Sequence, residues 1–174
     1  MLSHDVQKWK NLGDWLPPRE LPRAEVVHTY FLWQCADITV RTAHSLGEDA
    51  TEFIAIRDAA AKAFHDNLYD PATGSYGKYG SNVLALKIGV PEDRKAKVVE
   101  ALRRNIAEVN DHLDTGIVGT RYLFEVLCDN GLEDVAYKII NQRDFPSFGW
   151  WIEQGATTTW EAWNGDNSHN HPMF

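Results

Sequence analysis

The stretch PEDRKAKVVEALRRNIAEV, Pro91 to Val109, sets the architecture. Val98, Leu102, Ile106 and Val109 fall at intervals of three and four between charged residues, the period of an α-helix with one apolar face. Pro91 stands at the opening, where a missing N–H costs the helix nothing. Outward in both directions the same period recurs. From Pro22 to Leu46, Val26, Val27, Tyr30, Phe31, Trp33, Ile38 and Val40 form a broad stripe closed by Gly47, which predicts a wall helix with neighbours on more than one side. Asp49 starts a second helix through Phe53, Ile56, Ala60, Phe64 and Leu68, ending before Asp70-Pro71. The turn-rich DPATGSYGKYG leads to a short helix from Ser81 to Ile88, stopped by Gly89. Gly116 and Gly119 are expected to break the chain before a helix from Tyr122 to Cys128, and Leu132 to Asn141 supplies another. After Pro146 the chain turns aromatic, β-branched and Gly-rich, which predicts a loop region beside a rigid scaffold.

These elements predict an all-α fold. Alternating broad and narrow stripes with short connections fit a solenoid or a toroid of inner and outer helices. No fixed-period repeat is evident, which disfavours the solenoid. A toroid would carry a polar site at one end of its inner ring.

With 174 residues and 44% hydrophobic content, the chain can bury a real core. A net charge of -8 and a pI near 5.3, with no basic cluster beyond Arg103-Arg104, argue against nucleic acid as a partner. The N-terminal MLSHDVQKWK lacks the apolar core of a signal peptide, and no apolar run approaches the ~18 residues of a membrane span. Neither membrane partner nor cellular compartment is indicated. Cys35 and Cys128 sit in apolar helical patterns and are expected to be small buried hydrophobes rather than a disulfide.

The C-terminal GATTTWEAW, Gly155 to Trp163, sets Glu161 between two indoles and behind three threonines. Indole faces suit the C–H side of a pyranose, and a carboxylate beside them can take a proton. A buried element with one exposed acid would look the same. Asp14-Trp15, in NLGDWLPP, repeats the pairing of acid and indole outside regular helix; capping and packing are the plainer roles for those two residues. Trp150-Trp151, if extended, point their rings to opposite sides, one to the site and one to the core. No GxSxG elbow or HExxH pattern occurs, so acyl transfer and metal chemistry are disfavoured. His169 and His171 form a close pair without further zinc ligands, which favours a polar contact to ligand over a metal; no cofactor is called for. His28, His44, His65 and His112 occur singly and are expected to be surface or capping residues.

GDWL, LDTGIVGT (Leu113 to Thr120), AYKIINQRDFPSFGWWIEQGATTTWEAWNG (Ala136 to Gly165) and NHPMF (Asn170 to Phe174) together resemble the catalytic domain of bacterial α-L-rhamnosidases, glycoside hydrolase family 78. The resemblance covers nearly the whole chain. It implies an (α/α)6 barrel and inverting hydrolysis of terminal α-L-rhamnosides, with a carbohydrate substrate. It implies that Glu161 is the general base, that Trp15 and Trp160 line the sugar pocket, that His171 hydrogen-bonds the sugar and that Asp14 belongs to the supporting shell. Only GDNSH separates Asn164 from Asn170, a shorter link than the family's. The family's acidic, Arg- and Trp-containing motif for the general acid does not precede Asp14, and its last helix is absent after the Asn-His motif. Residues 1–174 are therefore expected to be one piece of a larger catalytic domain, about half of the toroid, inactive alone, with exposed faces that favour self-association. Trp160 and Trp163 are expected to desolvate Glu161 and raise its pKa, and Thr157, Thr158 and Thr159 to offset this with hydrogen bonds. The rivals are a non-catalytic carbohydrate-binding or scaffold protein, and another helical-toroid glycosidase or a polysaccharide lyase.

Overall fold

The computed structural model describes residues 13–19 and 21–171. The described residues form seven α-helices: α1 (Ala24–Leu46), α2 (Thr51–Leu68), α3 (Tyr79–Ile88), α4 (Glu92–Glu108), α5 (Ile117–Asp129), α6 (Glu133–Ile140) and α7 (Phe148–Glu153). Among the described residues there is no strand beyond an isolated bridge between Asp70 and Ser75, and no helix is long and apolar enough to cross a membrane.

The helix ends follow from local chemistry. Gly47 closes α1 in the left-handed conformation, φ 73°, with its amide on the carbonyls of Ala43 and His44. Asp49 opens α2 by accepting the amide (3.1 Å) and the hydroxyl (2.6 Å) of Thr51. Pro91 precedes α4, whose first turn carries Glu92 and Asp93 at the positive end of the helix dipole.

α1, α3 and α5 lie side by side, while α2, α4 and α6 each pack against the helix before them. Three hairpins thus form an inner and an outer layer, and α7 follows the third. α3 shows why the inner layer forms: every residue from Tyr79 to Ala85 is buried, including Ser81 and Asn82. α4 is an outer helix, burying only Val98, Ala101, Leu102 and Ile106. Each large side chain buried along that stripe contributes about 1.5–3 kcal/mol. The core joins Tyr30, Phe64, Tyr76, Tyr79, Leu84 and Leu123 across the hairpins.

Four expectations need correction. Gly119 does not break the chain but lies in the first turn of α5, for a reason given by Asp14 below. The segment after Pro146 contains a six-residue helix, α7, opened by Ser147, whose hydroxyl accepts the amide of Trp150 at 2.9 Å. Trp150 and Trp151 are therefore helical neighbours, not an extended pair; Trp151 enters the core and Trp150 is half-buried. Cys35 and Cys128 are both exposed rather than buried.

The single histidines divide. His28 and His44 are exposed, as expected. His65 and His112 are buried: Nδ1 of His65 lies 2.7 Å from the Tyr76 hydroxyl, and His112 joins the carbonyl of Asn110 (2.8 Å) to the carboxylate of Asp144 (2.9 Å).

Candidate active site

Asp14 and Trp15 form a bend seated on the N-terminus of α5. That helix end presents amides without intrahelical partners and a partial positive charge. Asp14, fully buried, takes two of these amides: Oδ2 accepts Gly116 and Oδ1 accepts Gly119, both at 2.9 Å. The carbonyl of Trp15 takes the amide of Ile117 at 3.0 Å. A Cβ on Gly116 would meet the carbonyl oxygen of Trp15 at 2.2 Å, and one on Gly119 would meet Asp14 Oδ2 at 2.7 Å. The two glycines of LDTGIVGT are thus the cradle of GDWL. Burial raises the Asp14 carboxyl above its ordinary range, against the downward pull of the Gly119, Gly116 and Val118 amides.

Held in this way, Trp15 directs its indole Nε1 to Oε1 of Glu161, 2.8 Å away. The other oxygen, Oε2, accepts the amide of Ser168 at 3.1 Å and lies 3.9 Å from Nδ1 of His171. The side chain of Glu161 is 17% exposed. The Trp15 hydrogen bond, then the Ser168 amide and the nearby His171, hold its carboxyl below the usual range against partial desolvation. Desolvation does push the carboxyl up, as expected, and the hydrogen bonds that outweigh it come from Trp15 and the Ser168 amide.

A backbone clasp sets the position of Ser168 and His171. The amide of Glu161 donates to the carbonyl of Ser168 (2.8 Å), and the amide of His171 to that of Thr159 (3.0 Å). Thr159 Oγ1 donates to the carbonyl of His171 at 3.1 Å, and Thr158 Oγ1 to that of His169. These two threonines therefore fasten the returning segment instead of bonding Glu161 directly. His169 adds a further clip, its Nε2 lying 2.7 Å from the carbonyl of Gly165.

The indoles flanking Glu161 belong to the wall behind it. Trp160 is buried, with the His169 ring stacked on it at 4.3 Å and 13° and Trp150 edge-on at 6.2 Å. A Cβ on Gly165 would meet its ring at 2.8 Å, so Gly165 packs closely on that ring. Trp163 stacks on Trp151 at 4.4 Å and donates its Nε1 to the carbonyl of Thr115 at 2.8 Å.

Glu161, Trp15 and His171 are thus brought together, Asp14 stands behind Trp15, and Trp160 stands behind Glu161. Ser168 and the cradle role of Gly116 and Gly119 were missed in the sequence, while His169, read there with His171 as a polar contact to ligand, stacks on Trp160. Only the glycines left a signal there, as paired Gly in LDTGIVGT.

The bacterial alpha-L-rhamnosidase 6 hairpin glycosidase domain matches residues 2–174. The chain belongs to this family. The hairpins α1/α2, α3/α4 and α5/α6 are accordingly part of a six-hairpin (α/α)6 barrel. Among family relatives, an α-L-rhamnosidase of Streptomyces avermitilis is 35% identical over 155 residues, covering 87% of this chain and 15% of its own length. One from Formosa agariphila is 31% identical over 174 residues, covering 91% and 18%. The Streptomyces avermitilis enzyme, solved in complex with L-rhamnose, superposes with a TM-score of 0.83 at 33% identity, covering 92% of this chain and 17% of that one. The α-L-rhamnosidase of Dictyoglumus thermophilum gives 0.85 at 36%, covering 95% and 20%. The chain spans about a fifth or less of the length of these relatives.

Proposed function

We propose that residues 1–174 form one part of a larger catalytic domain and supply the water-activating side of an inverting α-L-rhamnosidase active centre. The observation that carries this reading is the Glu161 carboxylate, held ionised by the Trp15 indole and the Ser168 amide, with His171 beside it. Glu161 is the general base and takes a proton from water as the water oxygen bonds to the anomeric carbon. The electron pair of the glycosidic bond leaves with the aglycone oxygen, which is protonated by a general acid contributed from outside this chain. In inverting enzymes the two carboxyl groups stand roughly 6.5–9.5 Å apart to admit that water. Trp15 lines the rhamnose pocket, His171 hydrogen-bonds the sugar and Asp14 supports Trp15 from behind. The substrate is a terminal α-L-rhamnoside.

Substitution Glu161→Gln in the complete enzyme is the test. Turnover of an aryl α-L-rhamnoside should fall by about a thousandfold or more, with rhamnose affinity changed only a few-fold. Loss of binding with little loss of turnover would make Glu161 a ligand-orienting group instead.

A further inference from the structure

We propose that Trp15 is a positioning residue for Glu161, its indole N–H holding the carboxylate in one orientation and in its charged form. This rests on the reading of Glu161 as general base, and it assigns the indole nitrogen a role separate from the apolar face that lines a sugar pocket.

The geometry carries it. An indole N–H can only donate, so it matches an ionised carboxylate better than a protonated one. Trp15 Nε1 at 2.8 Å on Oε1 and the Ser168 amide at 3.1 Å on Oε2 bind different oxygens, which fixes the carboxylate plane. One further lone pair on each oxygen is left for a water molecule. The indole is itself held from behind. Asp14 and the Trp15 carbonyl occupy three amide donors around the N-terminus of α5, at Gly116, Ile117 and Gly119. A chain of contacts thus runs from an inner helix end through the Asp14-Trp15 bend to the reacting oxygen.

The other charged groups near Glu161 do not replace the indole. His171, 3.9 Å from Oε2, favours the charged carboxylate through space without a hydrogen bond at that distance. Asp14 is turned to the α5 amides, Asp166 to the side chain of Asn164, and His169 to Trp160 and the carbonyl of Gly165.

The first experiment uses the unaltered 174-residue chain. The indole N–H resonance of Trp15 should show a pH step that reports ionisation of Glu161, and the step should vanish in Glu161→Gln. Absence of the step, or its persistence in Glu161→Gln, overturns the proposal. In the complete enzyme, Trp15→Phe keeps a flat ring but removes the donor. Its acidic limb of kcat/KM should move to higher pH, with kcat/KM below the limb falling about tenfold more than on the plateau, the size of one lost hydrogen bond to a charge. An unmoved limb, or an equal movement in Thr159→Val, which loosens the clasp without touching the donor, overturns the proposal. Full turnover by Glu161→Gln, with the indole step present in the unaltered chain and lost in that variant, would overturn the general-base reading alone and leave the Trp15–Glu161 bond supported.

Discussion

Asp14 Oδ1 accepts the amide of Gly119 at 2.9 Å, across 105 positions of chain. This bond, with its neighbour at Gly116, joins the bend that carries Trp15 to an inner helix, and the helix end tolerates it only because its cap, Gly116, and Gly119 in its first turn lack a Cβ.

Gly119→Ala should therefore destabilise the fold although alanine is the better helix former. The new Cβ would stand 2.7 Å from Asp14 Oδ2 and 2.8 Å from Thr115 Cγ2, both held in place by burial. A loss of about 1–3 kcal/mol is expected from such overpacking. A urea midpoint equal to or above that of the unaltered chain would show that the cradle yields at no cost.

Asp14→Asn should also destabilise, by about 1–3 kcal/mol, because an amide NH₂ would face one of the two backbone donors and leave it unpaired. The effect depends on pH with a definite sign. The Asp14 carboxyl is raised above its ordinary 3.8 by burial, so the folded protein binds that proton more tightly than the unfolded chain. Its contribution to stability is full below the ordinary value and declines as pH rises through the raised one. The stability gap between the unaltered chain and Asp14→Asn should therefore be widest in acid and narrow toward neutrality. A gap that widens toward neutrality in urea titrations would contradict the assignment.

Self-association is expected through α1. Phe31, Leu32 and Ile38 are 40%, 53% and 47% exposed and share one side of the helix with exposed Cys35. Large apolar groups in contiguous exposure favour association. Sedimentation of the 174-residue chain should show concentration-dependent oligomers, and Leu32→Glu with Ile38→Glu should reduce them. A monomer at every concentration would remove this expectation.

Helices were legible in the sequence wherever their cause is local. Val98, Leu102, Ile106 and Val109, read as one stripe, are all buried, and Gly47 and Gly89 end helices where they stand. Periodicity and the backbone freedom of glycine act over a few residues, so neighbouring residues contain them. The same holds for the motifs that marked the family, since each is contiguous. Cys35 was misjudged for the opposite reason. A broad apolar stripe on α1 shows how much surface could be covered, while the hairpins present decide which part is covered.

The candidate site divides along the same line. The sequence alone determined an all-helical fold and membership of the six-hairpin glycosidases, and it singled out Glu161, Asp14, Trp15, Trp160 and His171 as candidate residues. Only the tertiary structure decided which groups touch Glu161. Thr158 and Thr159 turn to the segment at 169–171, while the donors that hold the carboxylate come from Trp15, 146 positions away, and from the amide of Ser168. Adjacency in the chain does not set the direction of a side chain, and a hydrogen bond requires direction as well as distance. That direction comes from the N-terminus of α5, which seats Asp14 and thereby aims the indole.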